Sequence, residues 1–127
     1  MKILIVDDSK TILKMSANLV KTIIPDAEII LFDTPLKAVE MMSSGVHVDV
    51  AFLDYNMEGM NGLELAQAIL QVNPAPIMNG NICIVSANTQ EVVKKRANEL
   101  GLEFIEKPFD EAKLKSFLSL KGFSYGT

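Results

Sequence analysis

The chain has 127 residues, of which 49% are hydrophobic and 22% charged, and this length and balance indicate one globular domain and exclude a disordered protein. Its net charge of −4, from 12 basic and 16 acidic side chains, argues against nucleic-acid binding, which usually requires a basic face. No apolar run approaches the roughly 20 residues that span a bilayer, and no signal peptide precedes the first strand, which begins at Lys2, so we expect a cytoplasmic protein.

The first predicted strand and helix are separated by polar residues. Ile3 to Val6 form an apolar run of strand length that ends at Asp7 and Asp8. Ser9 suits the N-cap of a helix that ends at Pro25. The inward face of this helix is predicted from residues at helical spacing: Ile12, Leu13, Ser16, Leu19, Val20 and Ile23.

The second strand and helix follow directly. Glu28 to Phe32 is rich in residues that favour strands. Thr34 and Pro35 open the next helix in the favoured order of cap and first-turn proline, and Gly45 ends it. We expect four residues of this helix to face inward: Leu36, Val39, Met41 and Met42.

The third strand, Val50 to Leu53, is a continuous apolar run that stops at a carboxylate, Asp54. Such a run is typical of a strand that is buried on both faces of a parallel sheet. The helix after it ends near Asn73 and Pro74, and its inward residues are predicted to be Leu63, Leu65, Ala66, Ile69 and Leu70. The segment Asn73 to Asn81 contains two prolines and an Asn-Gly-Asn sequence, which predicts an irregular loop.

The last part of the chain repeats the alternation. Ile82 to Val85 is the fourth strand, and Asn88 or Thr89 is expected to cap a helix with inward Val92, Val93, Ala97 and Leu100. Glu103 to Ile105 is a short fifth strand. Asp110 caps a final helix, whose inward residues are Leu114, Phe117 and Leu118.

Five strands alternating with five helices predict an α/β fold with a doubly wound parallel sheet. The carboxyl ends of parallel strands meet at one edge, where open α/β sheets place their ligands. Five polar residues follow the apolar strands: Asp7, Asp8, Asp54, Ser86 and Lys107. Each alone could be an ordinary turn or surface residue, but their recurrence at successive strand ends favours one shared site.

The chemistry of these side chains points to phosphoryl transfer. Three neighbouring carboxylates repel one another, and a hard divalent cation such as Mg²⁺ relieves that repulsion. Lys107 adds a mobile positive charge and Ser86 a hydroxyl donor, so an anion such as a phosphoryl group suits the site. Asp54 is central and therefore the candidate nucleophile for an aspartyl phosphate, while Asp7 and Asp8 are better placed to hold the metal.

The one histidine and the one cysteine are predicted to lie outside this site. His47 precedes the third strand, at the opposite edge of the sheet, and is interpreted as an exposed loop residue. Cys83 stands between Ile82 and Ile84 and is interpreted as an inert core thiol.

Four stretches of the sequence resemble the response regulator receiver domain, and in particular the free-standing chemotaxis-type regulators. They are the Ile-Val-Asp7-Asp8-Ser9 stretch, Leu53-Asp54-Tyr55-Asn56-Met57 with Gly62, Val85-Ser86-Ala87 and Lys107-Pro108-Phe109. The resemblance covers almost the whole chain. It implies a flavodoxin-like fold with sheet order 2-1-3-4-5 and a single receiver domain over residues 1–127 with no output domain.

The resemblance also implies a role for each residue of the site. Asp54 would accept a phosphoryl group from a histidine kinase, a phosphotransfer protein or a small phosphodonor. Asp8, Asp54 and the main-chain carbonyl of Asn56 would bind Mg²⁺, and Asp7 would act mainly through water. Lys107 would pair with the phosphoryl oxygens.

Further residues would carry the signal to a partner. Ser86 would hydrogen-bond the phosphate, and Phe104 stands at the position of the family's switch aromatic, so an unidentified target protein would meet an altered face of helix four, strand five and helix five. Asn56 and Asn88 would tune the phosphate lifetime. We expect a monomeric binding switch that catalyses no more than its own phosphorylation and slow dephosphorylation.

The chain departs from the family pattern at three places. Glu58 stands where many relatives carry proline, Phe104 lacks a tyrosine-type hydroxyl, and Asn73 to Asn81 is several residues longer than usual. The lysines of helices four and five suggest an acidic partner, but we interpret them as an ordinary solvated face: Lys94, Lys95, Lys113 and Lys115.

Two other function classes are consistent with parts of this pattern. A Mg²⁺-dependent phosphohydrolase of the haloacid dehalogenase type needs a second Asp two residues after the nucleophile, where this chain has Asn56. A flavin-binding domain needs a hydroxyl- and glycine-rich phosphate loop, whereas Asp7 and Asp8 would repel a flavin phosphate. The sequence therefore predicts a phosphorylation-controlled switch, with the aspartyl-phosphate phosphohydrolase as the alternative.

Overall fold

Strands and helices alternate along the chain in the computed structural model, which describes residues 1–72, 75–87 and 90–125. The elements are β1 (Lys2–Val6), α1 (Lys10–Ile23), β2 (Glu28–Phe32), α2 (Pro35–Ser43), β3 (Val50–Asp54), α3 (Gly62–Leu70), a 3-10 turn (Asn79–Asn81), β4 (Ile82–Ser86), α4 (Glu91–Glu99), β5 (Glu103–Glu106) and α5 (Glu111–Leu120). No helix within these residues is long and apolar enough to cross a membrane.

The five strands form one parallel sheet in the order β2-β1-β3-β4-β5. This confirms the predicted doubly wound α/β fold and its strand order. β3 lies at the centre, between β1 and β4, and all five of its residues are buried. The sheet therefore holds Asp54, the last residue of β3, at the end of its central and fully buried strand.

Side chains of successive strand residues point to opposite faces of the sheet, and each face has its own hydrophobic core. One core contains Leu4, Leu53 and Ile84 of the sheet and is covered by α2, α3 and α4. The other contains Phe52 and Val85 and is covered by α1 and α5. Alternation along β3 places Asp54 on the same face as Phe52, toward α1 and α5.

Polar side chains fix the starts of three helices. Ser9 Oγ accepts a hydrogen bond from the Ile12 amide at 3.2 Å, and Asp110 Oδ1 accepts one from the Lys113 amide at 2.9 Å, as the sequence predicts. At α3 the Asn61 side chain and the Glu64 side chain form a reciprocal capping box.

Three residues that were predicted to face inward are exposed: Ile12 of α1, Leu36 of α2 and Val92 of α4. Leu36 of α2 is 66% exposed and Val92 of α4 is 77% exposed. In α2 the predicted Met42 is buried, but Pro35 and Ala38 are buried in place of Leu36 and Val39. In α4 the predicted Val93 and Ala97 are buried, and Val92 lies beside their stripe. Both helices have nine residues and bury only a narrow stripe, so an apolar residue beside that stripe remains in solvent.

Loop predictions were less accurate than strand predictions. α4 begins at Glu91, with Gln90 in the N-cap position, and the predicted caps Asn88 and Thr89 lie outside the described residues. The segment before β4 was predicted to be irregular throughout, yet Asn79–Asn81 forms a 3-10 turn.

Candidate functional site

Three carboxylates meet at the carboxyl edge of the sheet. Asp7 and Asp8 follow β1, and Asp54 ends β3, which is the neighbour of β1. Each offers an oxygen, and the three oxygens lie within 4.8 Å of one another. Asp7 and Asp54 are buried and Asp8 is exposed, so this cluster opens to solvent on the Asp8 side. An all-oxygen donor set of this kind suits a hard cation such as Mg²⁺.

Lys107 supplies a positive charge to the same cluster. Its Nζ lies 2.9 Å from Asp54 Oδ1 and 3.9 Å from Asp7 Oδ2. Lys107 follows β5, two strands away from β3, and its amide donates to the Ser86 carbonyl at 2.8 Å. That hydrogen bond continues the pairing of β4 and β5 and directs the lysine toward the acids.

Burial opposes ionisation of the two inner acids. It raises the pKa of Asp54, and the hydrogen bond and charge of Lys107 offset this only in part. Burial likewise raises the pKa of Asp7, although the Ser9 amide lowers it by donating to Asp7 Oδ1 at 2.9 Å. The site therefore holds more negative charge than its own donors balance.

The loop after β3 reaches back to the exposed acid. The Glu58 amide donates to Asp8 Oδ2 at 3.3 Å, which joins the β3–α3 loop to the β1–α1 loop. A proline at position 58 could not make this contact because it has no N–H. The sequence shows that Glu58 replaces the proline of many relatives, but only the structure shows the hydrogen bond to Asp8 that this replacement allows.

Gly62 allows α3 to begin directly above Asp54. A Cβ at this position would lie 2.6 Å from the Asp54 carbonyl oxygen, which is closer than real Cβ contacts. The Gly62 amide also donates to the Tyr55 carbonyl at 3.0 Å. A glycine at position 62 is thus required, because any side chain there would prevent the start of α3 from approaching the end of β3 this closely.

An aromatic cluster lies beneath the acids. The Phe52 ring lies 4.9 Å from the Phe109 ring and 5.3 Å from the Phe117 ring, measured between centroids. Phe52 precedes Asp54 by two residues, and Phe109 follows Lys107 by two. Ring contacts of this kind hold the segments that carry Asp54 and Lys107 together.

The remaining predicted residues lie at different depths. Ser86 ends β4 and is buried, while Phe104 lies in β5, half-buried, with the Lys94 Nζ 5.9 Å from its ring centroid. Asn56 is exposed in the loop after β3, and Asn88 lies outside the described residues. His47 is exposed in the loop before β3, as predicted.

A cavity of about 610 Å³ adjoins the acids between α1 and the β5–α5 loop. Asp7, Asp54 and Lys107 line it beside apolar side chains, among them Ile12 and Met15. Ile12, which was predicted to face the core, is 36% exposed, and Met15 is 62% exposed. The apolar surface of α1 thus continues into the polar site.

One side chain near the site was misinterpreted from the sequence. Lys113 was taken as a solvated lysine, but its Nζ donates to the carbonyl of Glu106 at 2.7 Å and to that of Pro108 at 3.1 Å. No sequence signal predicts this contact, because any residue can supply a main-chain carbonyl. The two carbonyls flank Lys107, so the contact bears on the segment that carries the site's ammonium group.

Comparison with known protein families identifies the family to which this chain belongs. The model of the response regulator receiver domain matches residues 3–119. The chain belongs to this family. The predicted resemblance is therefore confirmed, and with it the assignment as a receiver domain of a response regulator.

Two relatives place this receiver domain among two-component and chemotaxis response regulators. It is 29% identical over 120 residues to the cyclic di-GMP phosphodiesterase response regulator RpfG of Xanthomonas campestris, covering 91% of this chain and 30% of the relative. It is 34% identical over 110 residues to a protein-glutamate methylesterase/protein-glutamine glutaminase of Nitrosomonas europaea, covering 84% and 29%. The chain thus spans about 30% of the length of these curated relatives.

The receiver domain is also similar to solved structures. In the CheX–CheY–BeF3–Mg complex from Borrelia burgdorferi, the matching chain has a TM-score of 0.81 and 24% sequence identity, with coverage of 98% of this chain and 90% of that one. At this identity the comparison shows a shared fold.

Proposed function

We propose that this receiver domain is a phosphorylation-controlled signalling switch of a two-component or chemotaxis system, which accepts a phosphoryl group on Asp54 in the presence of Mg²⁺. The observation that supports this most directly is the Lys107 ammonium at 2.9 Å from Asp54, inside a cluster of three carboxylates. Family membership supports the same function. The phosphodonor in this proposal is a phosphohistidine on a histidine kinase or phosphotransfer protein.

In the transfer step, a carboxylate oxygen of Asp54 attacks phosphorus. A P–O bond forms while the P–N bond to histidine breaks, and the electron pair leaves with the imidazole nitrogen. No proton has to be removed from the nucleophile because Asp54 reacts as the carboxylate. Lys107 transfers its hydrogen bond from Asp54 to a phosphoryl oxygen, and the Ser86 hydroxyl donates to another.

The metal ligands in this proposal are Asp8, Asp54 and the main-chain carbonyl of Asn56, with Asp7 acting mainly through water. A bound Mg²⁺ would neutralise part of the charge on the acids and on the transferring group. The oxygen cluster and the raised pKa values of Asp7 and Asp54 support a cation here, because both acids lack full compensation.

The output of the switch is a change in binding. Phosphorylation adds about 1.5 to 2 negative charges and three acceptor oxygens, and these oxygens are available to the Ser86 hydroxyl only in that state. Its movement leaves space for Phe104, so the face of α4, β5 and α5 changes for a target protein. Asn56 and Asn88 tune how long the phosphoryl group persists.

The surface beside the acids suits a phosphodonor protein. Met15 and Ile12 of α1 border the cavity that ends at Asp54 and Lys107. An apolar helix surface that carries a phosphohistidine could bury these side chains while presenting its phosphorus to Asp54. The Borrelia complex holds CheY together with BeF3 and magnesium, which supports testing the same chemistry on this chain.

Beryllium fluoride binding tests the proposal. The wild-type protein should bind it only when Mg²⁺ is present, and Asp54→Asn should abolish binding, as measured by calorimetry. Asp26→Asn, which removes an exposed carboxylate elsewhere on the surface, is the matched control and should bind normally. Failure of the wild type to bind contradicts the proposal, and rapid multiple turnover of a phosphoester would favour the phosphohydrolase.

A further inference from the structure

Lys113 contacts the main chain on both sides of Lys107. Its Nζ donates to the Glu106 carbonyl at 2.7 Å and to the Pro108 carbonyl at 3.1 Å. A lysine ammonium has three donors, and two are used here. The side chain is half-buried, and among the described residues it forms no salt bridge that would compete for the ammonium.

The base of this lysine is fixed in the helix. Lys113 lies in the first turn of α5, and its own amide donates to Asp110 Oδ1 at 2.9 Å. The helix in turn packs on the sheet through Leu114 and Phe117. The ammonium therefore connects a fixed helix start to the segment that carries Lys107.

The opposite side of that segment is held by β4. The Lys107 amide donates to the Ser86 carbonyl at 2.8 Å. The Glu106 carbonyl belongs to the same peptide group as this amide, and a peptide group is planar. The peptide before Lys107 is thus bonded at its N–H to β4 and at its carbonyl to α5, so its orientation is determined from both sides.

The orientation of this peptide matters because the Lys107 side chain is long and flexible. Its Nζ reaches Asp54 Oδ1 at 2.9 Å and Asp7 Oδ2 at 3.9 Å. A small rotation of the main chain at residue 107 moves the start of the side chain, and the ammonium then meets the acids at a different distance.

We propose that Lys113 is a positioning residue for Lys107, which holds the Glu106–Pro108 main chain so that the Lys107 ammonium meets the phosphoryl group on Asp54. This inference rests on the proposed function. Lys113 itself touches neither the acids nor the phosphoryl group and acts only through Lys107.

Three variants test this role. Lys113→Met removes the donors but keeps most of the side-chain length, and it should slow phosphorylation by acetyl phosphate with Mg²⁺ by roughly 3- to 10-fold, as a slight displacement of a catalytic group would. Lys113→Arg keeps charge and donors and should restore at least half of the wild-type rate. Lys115→Met removes the same charge from the same helix, where Lys115 pairs with Glu111 at 2.7 Å, and should leave the rate within about twofold of wild type.

A double-mutant cycle separates positioning from general destabilisation. In a Lys107→Met background, Lys113→Met should cause no further loss of rate, because the group that it positions is absent. Equal losses in both backgrounds would overturn the inference. Should Lys113→Met fail to fold, Lys113→Gln, which keeps neutral donors on a shorter chain, replaces it in the same cycle.

The outcomes also separate this inference from the proposed function. A wild-type protein that neither reacts with acetyl phosphate nor binds beryllium fluoride contradicts the proposed function itself. A wild-type protein that reacts normally, together with a Lys113→Met variant of the same rate, contradicts only the role of Lys113.

Discussion

At the scale of single residues, Asp54 carries its charge where burial disfavours it. Burial raises its pKa above the ordinary value, so the folded state binds a proton more tightly than the unfolded chain. The folded state is therefore progressively destabilised as pH rises from the ordinary carboxyl range through the raised pKa. The same excess of charge is what a bound cation would relieve.

Asp54→Asn should consequently stabilise the metal-free protein at neutral pH. We expect the free energy of unfolding to rise by on the order of 1 kcal/mol. This gain should shrink as pH is lowered through the raised pKa and should be lost at about pH 3, below the ordinary carboxyl pKa, where the wild-type carboxyl is mostly protonated in both states. Urea unfolding of both proteins in EDTA, across this pH range, measures the difference in their free energies of unfolding. A lower stability of Asp54→Asn at neutral pH, with Asp26→Asn unchanged, would show that Lys107 compensates the charge fully.

Gly62 offers a second test at the residue scale. Gly62→Ala places a Cβ against the Asp54 carbonyl, and because that atom is main chain it cannot rotate away. We expect a loss of about 1–3 kcal/mol of unfolding free energy and weaker beryllium fluoride binding. Gly80→Ala is the control, since its Cβ would meet only the flexible Lys121 Nζ at 3.5 Å. Equal stability of the two variants in thermal melting would refute this account.

At the scale of elements, the β3–α3 loop contributes a main-chain donor to the proposed metal site. The Glu58 amide holds one oxygen of Asp8, and a carboxylate has a second oxygen for a cation. Partners of a metal ligand typically change affinity by about 10–100-fold when removed. For Mg²⁺, which proteins hold with few ligands, we expect the change in affinity to be at the low end of that range.

Glu58→Pro should therefore weaken Mg²⁺ binding about tenfold relative to Glu58→Ala, because both variants lose the carboxylate but only proline loses the amide hydrogen. Calorimetric titration of the metal-free proteins with MgCl₂ gives the comparison. Equal affinities for the two variants would assign any effect to the Glu58 side chain instead.

The elements also explain which features the sequence could predict. Apolar runs such as Val50 to Leu53 predicted the buried strands and hence the edge where Asp7, Asp54 and Lys107 meet. The helices α2 and α4 were harder, because Leu36 and Val92 are apolar residues beside a buried stripe, and only packing decides which side of the stripe is covered.

Local contacts to main-chain amides, the helix caps Ser9 and Asp110, were predicted, but contacts to the main chain of a different element were not. The Glu58 amide and the carbonyls that Lys113 contacts are common to nearly every residue, so no residue type signals them. The acid cluster was predictable for the opposite reason, since it is made of side chains at strand ends.

At the scale of the whole molecule, the one cysteine reports global unfolding. Cys83 is fully buried in β4, the strand next to the centre of the sheet, and burial raises the pKa of its thiol. A thiol reagent should therefore react at least about 10³-fold more slowly with the native protein than with the unfolded chain. Mg²⁺ should slow the reaction further in the wild type but much less in Asp54→Asn.

Absorbance after addition of an aromatic disulfide reagent measures this rate. Labelling should accelerate in urea in parallel with the loss of helical circular dichroism. Fast labelling under native conditions would mean that β4 opens locally while the rest of the fold stays intact.

The hydrogen bond between the Lys107 amide and the Ser86 carbonyl restricts how this molecule can change state. Ser86 is paired with Glu106 across the β4–β5 ladder, so its main chain cannot shift without breaking the sheet at that end. In the proposed switch, Ser86 would then respond to a phosphoryl group by rotation about its Cα–Cβ bond, and Phe104 would follow by rotation of its side chain. A transition made of side-chain rotations would leave the strand order intact and would allow repeated switching without partial unfolding.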